Sequence, residues 1–141
     1  MRIARRRSAS LALAGALLAP AVGADVKPDA GAAARGRLVY VRYCVSCHGS
    51  EARGDGPLAQ DLKPPVPDLT TLASRHSGQF PFERVERVIE LGEPMRGHGT
   101  SEMPAWGEAF KRTKGIEAPT PKQAIRNLTQ YLWSIQRTDG K

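Results

Sequence analysis

The sequence predicts an all-α domain, a few helices joined by long loops. Three observations carry this. Apolar residues at helical spacing, with capping residues beside them, mark stretches near the start, in the middle and at the end of the chain. The segments between are rich in glycine and proline. No alternation of apolar and polar residues runs long enough to specify a sheet. The 141 residues allow one domain once a targeting segment is set aside.

That segment is residues 1–24. Arg2, Arg5, Arg6 and Arg7 make a basic start, Ser8 to Leu18 is small or apolar, and Val22-Gly23-Ala24 offers small residues for cleavage before Asp25. This order reads as a cleaved secretory signal peptide, leaving a domain over 25–141. A membrane span is a poorer reading, because Ser8 to Ala24 is short and holds Pro20. The whole chain carries +7. Residues 1–24 hold four arginines and no acid, so the remainder carries +3. So small a charge, with no basic run interleaved with aromatics, excludes nucleic acid as the expected partner. It leaves room for steering toward an acidic protein.

Asp29 caps the first helix, which runs to about Cys44 with Ala33, Leu38, Val41 and Val45 near helical spacing. Gly36 and Tyr40 are placed at a tight helix–helix crossing. From Gly49 to Pro67, Gly54-Asp55-Gly56-Pro57 and Pro64-Pro65-Val66-Pro67 predict turns. A short helical turn is expected within Thr70 to Ser77. Pro81 opens a helix through Leu91, with Phe82, Val85, Val88 and Ile89 on one face and Gly92 as its stop. Gly92 to Pro104 is again loop. Thr120 caps the last helix, Pro121 sits in its first turn, and Gln123 completes a capping box. Ile125, Leu128, Leu132 and Ile135 form its stripe, widened by Tyr131 and Trp133.

The chemistry lies in Cys44-Val45-Ser46-Cys47-His48. Two thiols three residues apart, followed at once by histidine, are the signature of covalent haem c attachment. Cys44 and Cys47 would form the two thioethers, and His48 would reach the iron as proximal ligand. A redox dithiol would not require His48. A zinc site would need two more ligands, and His76 and His98 are too far apart for the usual paired spacing. The second axial position has three candidates after the proline-rich loop: Met103, Met95 and His98. Met103, before Pro104, is preferred for its setting. Met95 is the less favoured methionine, read by default as a core gap-filler, and His98 as an exposed loop histidine.

Cys44-Val45-Ser46-Cys47-His48-Gly49, Gly54-Asp55-Gly56-Pro57, Pro67-Asp68-Leu69-Thr70 and Met103-Pro104-Ala105-Trp106-Gly107 together resemble a class I, single-haem bacterial cytochrome c. The resemblance covers residues 30 to 137. It implies a small fold of three to five helices wrapped around one covalent haem. It also implies that Gly36 and Tyr40 meet Leu128 and Leu132, and that Met103 is the distal ligand. By the same resemblance a backbone carbonyl, of Pro65 or Pro67, accepts from the proximal imidazole. Trp106 is either a tryptophan beside a haem propionate or a plain core aromatic.

The function expected is single-electron transfer in a periplasmic chain, by a monomer that is not itself an enzyme. Its partners would be a protein donor and a protein acceptor, with membrane contact only through a membrane-bound partner. One alternative is a haem sensor or peroxidase-like protein with a displaceable Met103. Another is the haem subunit of a larger dehydrogenase or oxidase.

Overall fold

The computed structural model describes residues 27–92, 103–113, 115, 118 and 120–137. Among them are five α-helices, three short 3₁₀ turns and no strand. The helices are α1 (Ala30–Tyr43), α2 (Val45–His48), α3 (Phe82–Leu91), α4 (Trp106–Arg112) and α5 (Pro121–Ser134). No described helix is long and apolar enough to cross a membrane. The proposed signal segment, Met95 and His98 lie outside the described residues.

The frame is the crossing of α1 and α5. The Asp29 carboxylate accepts from the Ala32 N–H at 2.6 Å and so starts α1 as expected. The buried face of α1 is Ala32, Ala33, Gly36, Val39 and Tyr40. This corrects the expected stripe: Leu38 and Val41 are 50% and 56% exposed. Gly36 sets the phase. A Cβ on it would fall onto the Asn127 carbonyl of α5, so this face alone can approach that closely. The same imaginary Cβ lies 2.8 Å from Leu128 N, the neighbour the resemblance implied. Tyr40 shares the core with Leu128 and Leu132, and its ring also packs on Tyr131 with centroids 5.2 Å apart.

The Thr120 hydroxyl accepts from the Gln123 N–H at 3.1 Å and caps α5. The reciprocal half of the capping box is absent: Gln123 Nε2 donates to Asn127 Oδ1 at 2.9 Å. Asn127 is fully buried and offers a better partner than the exposed helix start. Ile125, Leu128 and Leu132 are buried as predicted, whereas Ile135 closes the helix half-buried.

α3 ends at Gly92, whose φ of 63° is a left-handed stop. Val85 and Ile89 are buried, Phe82 and Val88 half-buried. Phe82 belongs to a trio with Phe80 and Trp133, whose rings stack at 5.9 Å. α4 was not anticipated from the sequence. It is short, Ala105 gives it no side-chain cap, and its second residue is Gly107. That glycine is needed, because a Cβ there would lie 2.9 Å from the Glu90 carbonyl oxygen of α3.

The segment expected to turn does so, with one 3₁₀ turn at Ala59–Asp61. The single helical turn expected in 70–77 is two, Leu69–Thr71 and Ser74–His76. Gln136 ties them to the end of α5: its Nε2 donates to the Leu69 carbonyl and its Oε1 accepts from the Ala73 N–H, both at 2.8 Å.

Candidate cofactor site

Cys44 joins α1 to α2 with near-helical backbone, φ −113° and ψ −27°. The His48 N–H donates to the Cys44 carbonyl at 2.8 Å, so the cysteine and the histidine close one helical turn. Positions i, i+3 and i+4 of a turn share a face. Cys44, Cys47 and His48 are therefore presented together by the backbone.

The loop that follows folds back on this turn. The Gly54, Gly56 and Leu58 N–H groups donate to the carbonyls of His48, Cys47 and Ser46, at 2.9, 3.2 and 2.8 Å. Glycine is required at 56, since a Cβ would sit 2.6 Å from the Val45 carbonyl oxygen. From the other side the buried Tyr40 hydroxyl donates to the Gly49 carbonyl at 2.6 Å. Tyr40→Phe would leave that carbonyl without its partner and is expected to cost about 1–2 kcal/mol in denaturant unfolding of the haem-loaded protein. An unchanged midpoint would show that water replaces the hydroxyl.

This turn opens on a cavity of about 440 Å³. Cys44, Cys47, His48 and Met103 all lie in its wall. The rest of the lining is mainly apolar: Leu62, Val66, Leu69 and Leu72 with the prolines between them, Val85, Val88 and Ile89 from α3, Leu128 and Leu132 from α5, and Trp106. Among the described residues no aspartate or glutamate lines it, whereas Lys63, Arg75, His76 and Arg84 do.

The wall suits a large flat apolar group held by two sulfurs. Cys44 and Cys47 are not joined in a disulfide. Burial first, and Cys47 second, push the Cys44 thiol up to about 12. That is the opposite of what an attacking redox thiolate needs. Among the described residues no three His, Cys, Asp or Glu side chains converge on a point that could hold a metal ion. Burial pulls the His48 imidazole below the usual histidine range, and the Pro67 carbonyl opposes that shift. Neutral imidazole is the form that ligates a metal. Its buried Nδ1 closes no hydrogen bond at good geometry, even with Pro67 beside it. An Nδ1–H turned to that carbonyl would leave the Nε2 lone pair for iron. Of the two prolines left open by the sequence, Pro67 is the one that faces His48.

Met103 stands in the cavity wall. Trp106 lines the cavity and packs on Tyr43 at 5.5 Å and Phe110 at 5.3 Å, a core aromatic of the site. His76 is an exposed residue of the rim, its Nδ1 2.8 Å from the Leu72 carbonyl. Tyr43 was missed by the sequence reading, although it lies seven residues, two turns, after Gly36 on the buried face. Arg75 was missed too. Its guanidinium is fixed to the carbonyls of Asp68 at 2.5 Å and Thr71 at 3.3 Å.

The comparisons with known proteins agree with this geometry. No curated protein matches the chain. Among solved structures, a component of a reducing HAO-like protein complex of Kuenenia stuttgartiensis superposes with a TM-score of 0.55 at 22% identity. The superposition takes in 82% of this chain and 48% of that one, so the present chain spans about half of its neighbour's length. At that identity the likeness concerns the fold. The cytochrome c sequence profile matches residues 33–136, from the first turns of α1 to just beyond α5. With the two cysteines and the histidine inside that match, the chain belongs to the cytochrome c family, whose cofactor is covalently bound haem c and whose work is haem-based electron transfer.

Proposed function

We propose that this cytochrome is a single-electron carrier with His48 and Met103 as axial ligands and thioether links at Cys44 and Cys47. Its place would be the periplasm, reached by export and loss of residues 1–24, and its domain would be 25–141. One observation carries the proposal: both thiols, the His48 imidazole and Met103 line the same mainly apolar cavity. When bound, the haem supplies a one-electron iron couple. The polypeptide does the rest. His48 and Met103 would fill both axial positions and leave none for substrate, which separates a carrier from a peroxidase or gas sensor. The thioether of Met103, a soft ligand, would favour the reduced state and raise the potential. The aliphatic walls from α3 and α5 exclude water. A monomer with +3 outside residues 1–24 would dock by long-range attraction to acidic redox proteins, its donor and acceptor.

Met103→Ala is the direct test. The potential is expected to fall by on the order of 100 mV or more, a fraction of the span of about 0.8 V that axial ligands command. The ferrous variant should then bind CO rapidly, whereas the parent should bind it poorly. Met95→Ala should change neither property. A parent protein that takes up CO at once would defeat the carrier reading in favour of a sensor or peroxidase-like protein. A second placement, as the haem subunit of a larger redox complex, draws on the neighbouring structure, which is described as part of a complex. Size exclusion of protein from its native source distinguishes the two, since a free shuttle elutes as a monomer.

A further inference from the structure

The outer face of α1 is as regularly patterned as its buried face. Gly31, Ala34, Leu38, Val41 and Val45 follow one another at steps of three, four, three and four residues. That is the spacing of a seam between two paired helices. Here the seam lies on the side of α1 turned away from α5. Gly31, Ala34, Leu38 and Val41 are exposed, and Val45, just past Cys44, is half-buried. Single exposed apolar residues, such as Leu58 and Leu91, are ordinary on a protein surface. A repeat along one helix is not. Arginines border it. Arg35 and Arg42 each follow a seam residue directly, and Arg37 precedes Leu38 on the opposite border. All three are exposed, and α1 contains no aspartate or glutamate. Among the described residues none of the three has an ion-pair partner. Arg42 donates only to the neutral Gly115 carbonyl, at 3.3 Å.

In paired helices the residues beside the seam choose the partner by charge. A second copy is therefore a poor occupant. Pairing α1 with itself sets arginine against arginine whether the two helices run parallel or antiparallel. Gly31 and Ala34 offer a lipid surface little to bury, but they let a neighbouring backbone come close. We propose that the outer face of α1 docks an acidic amphipathic helix of another protein. Its apolar residues would pack on Leu38 and Val41, and its glutamates or aspartates would meet Arg35, Arg37 and Arg42. The face is separate from the cofactor site. None of these residues lines the cavity, whereas Tyr40, Tyr43 and Cys44, nearby in sequence, do. A protein held here leaves the cavity open to a second one. The inference goes beyond the carrier reading and does not depend on haem attachment at Cys44 and Cys47.

The probe is a synthetic peptide of about three heptads, with leucine at the seam positions and glutamate beside them. Titrated into the haem-loaded protein, it should bind and gain helicity. Leu38→Gln combined with Val41→Gln should weaken binding by about tenfold or more. Arg35→Glu combined with Arg37→Glu should weaken it by about tenfold, and should bind a peptide with lysine in place of glutamate better than the parent does. That exchange of preference distinguishes a docking site from a surface that is only adhesive. The four positions are exposed and outside the cavity, so both variants should keep the reduction potential of the parent. In the native host, a photoreactive residue in place of Leu38 should cross-link to a segment of another protein that carries apolar residues at this spacing and acids beside them. A parent that does not bind the glutamate peptide, or variants that bind it as tightly as the parent, would overturn the inference. So would tighter binding to phosphatidylglycerol vesicles than to the peptide, a cross-link to lipid or to a second copy, or no cross-link.

Discussion

Cys44→Ser combined with Cys47→Ser is expected to leave no haem on the chain after denaturation. A haem-stained denaturing gel of exported protein should show the parent band coloured and the double variant colourless at equal protein. The reason lies in the wall of the cavity. On the proposed assignment His48 and Met103 would hold iron by coordination alone, and such bonds are lost when the chain unfolds. Only the two sulfurs survive denaturation as links. Each single variant should retain colour through its remaining thioether, at reduced yield. Colour persisting in the double variant would mean that the haem is attached elsewhere, and would remove the basis for the site.

Gly36→Ala should unfold the frame rather than the site. The new methyl group would overlap the Asn127 carbonyl and press on Leu128 N, and both are backbone atoms of α5. Neither can rotate away as a side-chain end could. Alanine gains about 1 kcal/mol in helix propensity, but overpacking costs 1–3 kcal/mol or more, here at the upper end because backbone meets backbone. The net expectation is a loss of about 2 kcal/mol, or on the order of 10 °C in the thermal midpoint of the haem-loaded protein. Gly31→Ala in the same helix is the control. Its Cβ would meet only Asp29 Oδ1 at 3.4 Å and Arg35 at 3.6 Å, ordinary contacts. It should be neutral or stabilising by about 0.5 kcal/mol. Equal effects from the two substitutions would show that propensity, not the crossing, governs position 36.

The comparison of Gly36 with Leu38 shows what could be read in advance. Helix ends were legible because capping is local chemistry: Asp29, Gly92 and Thr120 act where the sequence places them. The phase of α1 was not. Residues 38–41 are four apolar residues in a row, so periodicity alone allows several faces. The face was fixed by a contact with Asn127, far away in sequence, and the clue was a missing side chain. α4 escaped for a related reason. Its helical form is supported by packing on α3 and α5, which a seven-residue segment does not advertise. Cys44, Cys47 and His48 were legible because covalent attachment demands that spacing. Tyr43 was not, because nothing in its own neighbourhood reveals that its hydroxyl would be buried without an acceptor.

The hydrogen bonds around the attachment turn also set an order in time. Those to His48, Cys47 and Ser46 come from amides only six, nine and twelve residues on. Loops of that length close within about 10–100 ns. The wall from α5 depends instead on a meeting of Gly36 with Asn127, ninety-one residues apart. Closing so long a loop costs more chain entropy and is slower. An emerging chain thus presents a shaped attachment turn before the chamber around it is complete. Haem would be expected to reach the thiols in that interval, when they are arranged but not yet enclosed. Substitutions that loosen the α1–α5 crossing should spare attachment more than they spare the finished protein, whereas those at Gly54 or Gly56 should injure attachment first.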